Sequence, residues 1–420
     1  MPDHERHSFS GQRELKMQLA DSVEVCPVRT PSDMKLFLEL PFLLHGQQPL
    51  WVPQLKIMQS EQLDEARHPY WRQAERALFL AWKNGRVVGR IAAIADHALD
   101  RQQGHAVGVW GFFDSENDRG TAIALFDAVE AWHKSRPDAR VSFLRGPLSP
   151  SLNYTCGMLV SGFDCHQPFM MPWTPPYYPM LAECSGMQKE QDLLSYRFFR
   201  QAGANTLMVK LAEQIDLAGA YRVRHSTRAT FERDLVILTD LFNGCWEENW
   251  GFSPIPLIEM HHMLREIRFL PGCMNMIFFE SGDLPVAVTL VLRDFNGLLR
   301  RTRGGIGPAL PWHLWRGLQD RRGLRIILFG VLKEYRSGAV PLLLMREVLA
   351  MAHERKRMEY LDGGWTIEDN EDVNDLCEQM GGKLITRHRI YRRAIVSGCL
   401  SDRSLSLCPD RPLHISPSSR

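Results

Sequence analysis

Arg336 and the residues after it, Ser337-Gly338-Ala339-Val340, stand where an anion could be held. Residues 325–332 are an apolar, β-branched run of strand length. Pro341 suits the first helical position, where its missing N–H costs nothing. Leu344, Val348 and Met351/Ala352 then recur at helical spacing and define one buried face. A loop between a strand and a helix N-terminus offers unbonded backbone N–H groups at the positive end of a dipole. The chemistry expected of Val331, Leu332, Arg336, Ser337, Gly338, Ala339 and Val340 is therefore the binding of a pyrophosphate.

A second stretch of suggestive composition covers 294–324. Between Gly297 and Gly323 lie six arginines and one aspartate, interleaved with Leu298, Leu299, Leu310, Trp312, Leu314, Trp315 and Leu318. A hairpin connection would be far shorter. Residues 309–322 have the make-up of an interfacial helix, with aromatics and leucine on one side and arginine on the other. Two readings stand: contact with anionic lipid or cover for an apolar substrate, and a lid packed on the rest of the molecule.

These segments need a scaffold, and the 420-residue chain is long enough for two or three domains. Its apolar fraction of 45% suits a large core, and its formal net charge of +1 gives no global field for nucleic acid. No apolar run reaches membrane-spanning length. Residues 1–22 are polar, lack the apolar core of a secretory signal, and are expected to form a flexible arm. Nine scattered cysteines without C-x-x-C spacing argue for reduced thiols in the cytoplasm, without a disulfide framework or a zinc site. No metal is expected, and His261-His262 lacks a third ligand at helical spacing. Residues 400–420 are rich in Ser, Pro and charge and are expected to be disordered.

Between these ends one order of elements occurs twice. In 23–210, strands are expected at 77–82, 86–96, 106–113, 140–144 and 193–199. Asn84-Gly85 marks a hairpin turn, and helices are expected at 121–135 and 176–183. In 221–399, a helix at 231–246 precedes strands at 275–279 and 285–292 around Ser281-Gly282-Asp283. The strand–loop–helix at 325–355 follows. A strand at 359–362, a helix at 373–380 and a strand at 384–391 close the half. The repeat covers nearly the whole chain.

The segment 331–340 resembles the coenzyme A loop of the GNAT acyltransferase superfamily, Arg/Gln-x-x-Gly-x-Gly/Ala after a strand. Arg336 takes the first position. Ala339 replaces the first glycine, Pro341 replaces the second small residue, and Gly338 is displaced by one. Further segments resemble bacterial tandem GNAT-family N-acetyltransferase-like proteins. They include Leu50-Trp51-Val52-Pro53, Val88-Gly89-Arg90-Ile91-Ala92-Ala93, Arg145-Gly146-Pro147-Leu148-Ser149-Pro150, Pro175-Pro176-Tyr177-Tyr178-Pro179 and Trp246-Glu247-Glu248-Asn249-Trp250-Gly251-Phe252. The resemblance implies an α/β fold of two consecutive GNAT-like domains, each a mixed, mostly antiparallel sheet flanked by helices. It implies an acyl-CoA co-substrate and transfer of the acyl group to a primary amine by direct attack. The first half has three acidic residues, Asp114, Glu116 and Asp118, where a phosphate loop would lie, so the cofactor is assigned to the second half.

Within that family pattern, Glu368 and Asp369 are candidate bases, and Asn370 and Trp365 are candidate substrate contacts. An N-cap cluster is the alternative for 368–370. Glu247, Glu248, Asn249 and Trp250 lie in a loop that often borders the acceptor, and a loop anchored by its tryptophans is the alternative. Glu248 is a reserve base. Cys377 stands where the family places a tyrosine acid, with Tyr391 as the substitute. Two rivals remain. One is a long-chain, ceramide-synthase-like N-acyltransferase working on a lipid amine at the inner face of the membrane. The other is a non-catalytic CoA or ligand-binding module.

Overall fold

A computed structural model describes residues 22–136, 141–200, 221–265, 267, 270, 272–305 and 307–395. The expected arm, apart from Ser22, and the expected tail lie outside these residues.

The first half runs β1 (Glu24–Pro27), β2 (Ala74–Lys83), β3 (Arg86–Asp96), β4 (Gly108–Ser115), β5 (Phe143–Gly146), β6 (Leu148–Ser149), β7 (Thr155–Cys156), β8 (Met158–Ser161) and β9 (Gln188–Phe199). The second runs β10 (Arg222–His225), β11 (Met274–Ser281), β12 (Leu284–Arg293), β13 (Gly323–Val331), β14 (Tyr360–Ile367) and β15 (Lys383–Ala394). Each half opens with a short edge strand and two helices, Pro31–His45 and Lys56–Gln62 in the first, Phe231–Trp246 and Leu257–Leu264 in the second. A hairpin follows. At its first-half turn Asn84 and Gly85 have φ of 51° and 73°, the left-handed pair that a type I′ turn requires.

The two halves share a single 13-stranded sheet, ordered β1-β2-β3-β4-β5-β15-β9-β14-β13-β12-β11-β10, with β8 also on β15. The final strands are exchanged. β15 of the second half pairs with β5, and β9 of the first half pairs with β14. Neither half completes its sheet with its own last strand. Sequence pattern alone starts β9 at residue 193, because residues 188–192 are polar. The exchange explains why the strand starts earlier. Asp192 is buried and accepts from Arg389 Nε at 2.8 Å and Arg387 Nη1 at 3.0 Å, while Glu190 takes Arg145 at 2.6 and 3.0 Å. Burial alone would raise Asp192, but hydrogen bonds from Arg389 and Arg387 hold its carboxyl below the usual range. Polar residues thus continue the strand because paired charges satisfy each other inside it.

Helix Arg119–Ser135 lays Leu125, Phe126 and Val129 on the first half's hairpin, and helix Val340–Glu354 lays Leu344, Val348 and Ala352 on the second's. The decisive feature for a site is where neighbouring strands part. β13 and β14 are parallel and pair only at Gly323–Arg325 with Tyr360–Asp362. β4 and β5 pair only at Gly108 and Val109. Beyond those points each pair diverges, which opens the sheet twice.

Candidate functional site

The gap between β13 and β14 holds a cavity of about 240 Å³. One wall comes from helices Val340–Glu354 and Glu371–Gln379, through Met345, Val373 and Cys377. The opposite wall comes from helices Phe231–Trp246 and Leu257–Leu264, through Phe242, Trp246 and Met260. The cavity therefore passes from one side of the sheet to the other. Gly364 helps keep it open, because a Cβ there would lie 3.1 Å from the Ile326 carbonyl. The first half supplies Leu152, Asn153, Tyr154, Met170 and Met171 as a further wall.

None of residues 331–340 lines that cavity. β13 ends in buried Val331, a 3-10 turn covers Lys333–Tyr335, and helix Val340–Glu354 begins at buried Val340. Leu332 N–H bonds the Val286 carbonyl at 2.9 Å, while Ser337 and Gly338 are exposed and Ala339 is the cap residue. Among the described residues no side chain caps this helix, which leaves its amino end available to an anion. Its first-half counterpart differs. Asp118 caps helix Arg119–Ser135 by accepting from Thr121 N–H at 2.8 Å and Thr121 Oγ1 at 2.7 Å. A carboxylate already fills that position, as the acidic sequence there suggested. Arg336 is exposed but bonded to the backbone. Its Nε donates to the Val331 carbonyl at 3.0 Å and its Nη2 to the Cys245 carbonyl, which ties the loop to the end of helix Phe231–Trp246.

Across the sheet, Asn249, Trp250, Trp365 and Asn370 all line the cavity. Glu247 and Glu248 do not. Glu247 is exposed, and Glu248 pairs with Lys333 Nζ at 2.7 Å on the surface, which holds its carboxyl below the usual range. Glu368 is placed on the seam between the halves. Its Oε1 accepts from Asp192 N–H at 3.0 Å, and its Oε2 meets Lys189 Nζ at 2.7 Å and Arg387 Nη1 at 3.4 Å. Strand exchange brings β9 against β14, so the residue following β14 faces charged strands rather than the cavity. Asp369 is exposed, and Asn370 holds the cap position of helix Glu371–Gln379 without a side-chain capping bond. Tyr391 is carried by β15 into the first half's core, where its hydroxyl is 3.4 Å from Glu183 and burial pushes it up to about 12. Cys377 lines the cavity as a buried thiol, pushed up to about 12 by burial.

Two groups at this cavity escaped sequence reading. Tyr154, on the wall, donates to Glu259 Oε1 at 2.7 Å. Glu259 is 2% exposed. Burial raises its carboxyl to about 7, against the lowering bond from Tyr154 and with the charge of Asp96 adding to the rise. Burial and the Glu259 charge push Tyr154 far above its ordinary value, so its proton stays on the ring oxygen. The partners are 105 residues apart. The one local signal was an acid on the buried side of a helix. The second missed group is Arg325, at the point where β13 and β14 part. It lines the cavity, is 4% exposed, and has Nε and Nη1 without hydrogen-bond partners among the described residues. Burial lowers it to about 10, so it remains cationic at neutral pH. Its acidic neighbour Asp362 is taken by Arg197 Nη2 at 2.9 Å, and Asp294 by Tyr360 at 2.8 Å.

The first half's gap holds a smaller cavity of about 150 Å³, with Arg90, Asp114 and Tyr178 on its wall. Asp114 accepts from Arg90 Nε at 2.7 Å and lies 2.9 Å from His45 Nε2. Met170 and Met171 line both cavities.

Two strand-splayed halves in one sheet, each with this order of elements, have the fold of a tandem GNAT protein. Solved structures agree. A tandem GNAT protein from the clavulanic acid biosynthesis pathway matches with a TM-score of 0.52 at 12% identity, over 89% of this chain and 98% of that one. A GCN5-related glucosamine N-acetyltransferase region of a fungal multi-domain β-N-acetylglucosaminidase matches with a TM-score of 0.52 at 12% identity, over 89% of this chain and 38% of that one. No protein-family model matches the chain. The chain belongs to the family of Protein YghO of Escherichia coli, with 31% identity over 374 residues, 87% of this chain and 93% of that protein. It is also 27% identical over 381 residues to the bacterial ceramide synthase of Caulobacter vibrioides, covering 89% of this chain and 98% of that protein.

Proposed function

We propose that this protein transfers an acyl group from acyl-CoA to a primary amine, and that at least one of the two substrates carries a long hydrocarbon chain. The observation that carries the reading is the Tyr154–Glu259 pair, whose tyrosine stands on the wall of an apolar cavity that crosses the sheet with the carboxyl buried behind it. The open amino end of helix Val340–Glu354 suits the pyrophosphate of CoA, with the exposed loop at Ser337 and Gly338 beside it. Phe242, Trp246, Phe252, Met260, Leu264 and Leu290 make the cavity far more apolar than an acetyl group requires. The ceramide-synthase relative favours the same class of substrate.

In this reading the amine enters as an ammonium ion. It gives one proton to the Tyr154 oxygen while Tyr154 passes its own to Glu259, whose carboxylate is matched to neutral pH. The freed nitrogen attacks the thioester carbonyl. The C–N bond forms, the C–S bond breaks, and the second nitrogen proton leaves with the CoA thiol. Glu368 and Asp369 keep no part in this step, because neither faces the cavity. Calorimetric titration tests the assignment. Palmitoyl-CoA is expected to bind at least tenfold more tightly than acetyl-CoA, a difference of about 1.4 kcal/mol. Equal affinity would remove the long-chain donor, and no binding of either would overturn acyl-CoA as the donor.

Arg325 gives the acceptor side a specific expectation. A buried cation whose Nε and Nη1 have no hydrogen-bond partner among the described residues should receive an oxygen of the amine substrate, since a hydrogen bond to a charged group contributes about 1.5–3 kcal/mol. Arg325→Met is expected to raise the acceptor KM roughly tenfold or more, with the Kd for acyl-CoA unchanged. An unaltered acceptor KM in a folded variant would confine Arg325 to a structural role.

A further inference from the structure

The long connection between β12 and β13 contains two helices of opposite character. The first, Asn296–Thr302, is built into the molecule. Asn296 Nδ2 donates to the Gln167 carbonyl at 2.9 Å, and Lys56 N–H bonds the Gly304 carbonyl at 2.9 Å just beyond it. Asn296 and Leu299 also line the first half's cavity. The second helix, Leu310–Gln319, rests on the first through Gly317, where a Cβ would lie 2.9 Å from Leu298 Cβ. Gly317 is the one buried residue of this helix. Trp312 and Trp315 are 55% and 54% exposed, one turn apart, with ring centroids 5.1 Å apart and nearly parallel. The Arg316 guanidinium sits 5.8 Å from the Trp312 ring. Beside Trp315 runs an open groove of about 380 Å³ lined by Arg301, Arg316, Arg321, Arg322 and Arg357. The acid in it, Asp320, accepts from Arg322 at 3.0 and 3.2 Å.

We propose that helix Leu310–Gln319 docks this protein on an anionic bilayer. Trp312 and Trp315 enter the interfacial layer, and the arginine groove beside them receives lipid phosphates. A soluble face has no use for two large aromatics held at such exposure next to a concentration of positive charge. An interfacial helix needs that combination: an apolar edge to enter the headgroup boundary and cations to meet the surface potential. The charge is local. The whole chain carries a net charge of only +1, so this groove, and no general attraction, directs the contact. A nucleic acid would be served by tryptophans spread to meet successive bases, whereas these two faces cover each other. The inner helix walls the smaller cavity, and Met170 and Met171 line both that cavity and the larger one.

Sedimentation of the full chain with large unilamellar vesicles provides the test, because it reads attachment without requiring turnover. With phosphatidylcholine vesicles containing about one third phosphatidylglycerol, binding is expected, falling steeply as salt screens the arginines. Pure phosphatidylcholine should bind at least tenfold less. Trp312→Ser with Trp315→Ser, and separately Arg316→Gln with Arg321→Gln and Arg357→Gln, should each lower the partition coefficient at least tenfold. All five side chains are exposed, so thermal midpoints should not move. Brominated lipids should quench tryptophan fluorescence of the wild type and not of the double tryptophan variant. The proposal is overturned if the wild type ignores anionic vesicles, if both variants bind as the wild type does, or if duplex DNA competes the protein off the vesicles at equal phosphate concentration.

Discussion

Glu259→Gln is expected to lower kcat by roughly 10²–10³-fold, the range for loss of a positioned base, with the Kd for acyl-CoA unchanged. Tyr154→Phe should lower kcat as well, because it breaks the path from the cavity to the carboxylate. The pH profile separates a base from a structural acid. Only the carboxylate form of Glu259 accepts a proton, so the wild-type rate should climb as pH rises through about 7. In Glu259→Gln that rise should vanish. Stability moves the other way. The folded carboxyl holds its proton up to about 7, above the ordinary carboxylate range, so the unfolded chain releases its proton first. Stability is therefore full at low pH and falls as pH rises toward and through about 7. Glu259→Gln removes that loss, so the variant should melt higher than the wild type at pH 8 and not at pH 5. A variant that is inactive and also unstable at every pH would mean that Glu259 serves packing alone. Glu368→Gln makes a useful contrast: it should cost stability at the seam, through Lys189 and Arg387, and leave kcat nearly intact.

Fold and site were legible to different depths in the sequence, for physical reasons. Periodicity is local, so helix Phe231–Trp246, strand β3 and the turn at Asn84-Gly85 follow directly from residue spacing. The repeat is the sum of such local signals. Strand exchange is invisible to them. Whether β15 closes its own sheet or its neighbour's depends on residues such as Arg387, Arg389 and Asp192, whose pairing spans nearly two hundred positions. That single topological fact moved Tyr391 into the other half and turned Glu368 toward the seam. The same limit hid the acid. Sequence adjacency pointed to Glu247, Glu248, Glu368 and Asp369, all beside loops. The carboxyl raised to about 7 is Glu259, and what raises it is burial, which only the assembled fold supplies. Asn249, Trp250 and Asn370 line the cavity because each follows an element whose end is fixed by the fold's order, whereas Trp365 lies within β14, which runs to Ile367 and so beyond the strand expected at 359–362.

The loop at 336–340 should respond to substitution in two distinguishable ways. Arg336 first suggested a side chain facing phosphate, and reversing its charge would then act by repulsion. The structure shows it as a tether instead, with its guanidinium joining the carbonyls of Val331 and Cys245. Removing it should loosen the loop whatever the charge of the replacement. Arg336→Met and Arg336→Glu are thus expected to weaken CoA binding by a similar factor, about tenfold or more, and neither loss should depend strongly on salt. Ser337→Asp and Gly338→Asp work differently. Both sites are exposed at the open end of helix Val340–Glu354, and a Cβ at Gly338 would meet nothing closer than 3.6 Å. The loop itself should be undisturbed, while a new carboxylate stands where the pyrophosphate would bind, as Asp118 already does in the first half. Placed together they should weaken CoA binding by roughly 10²-fold, about 2.8 kcal/mol. Salt should narrow that deficit, because the repulsion is between exposed charges. Calorimetry at two ionic strengths reads both effects. If Arg336→Met binds CoA as the wild type does, the tether is dispensable. If the paired aspartates have no effect, the pyrophosphate lies elsewhere, and the smaller cavity of the first half becomes the place to look.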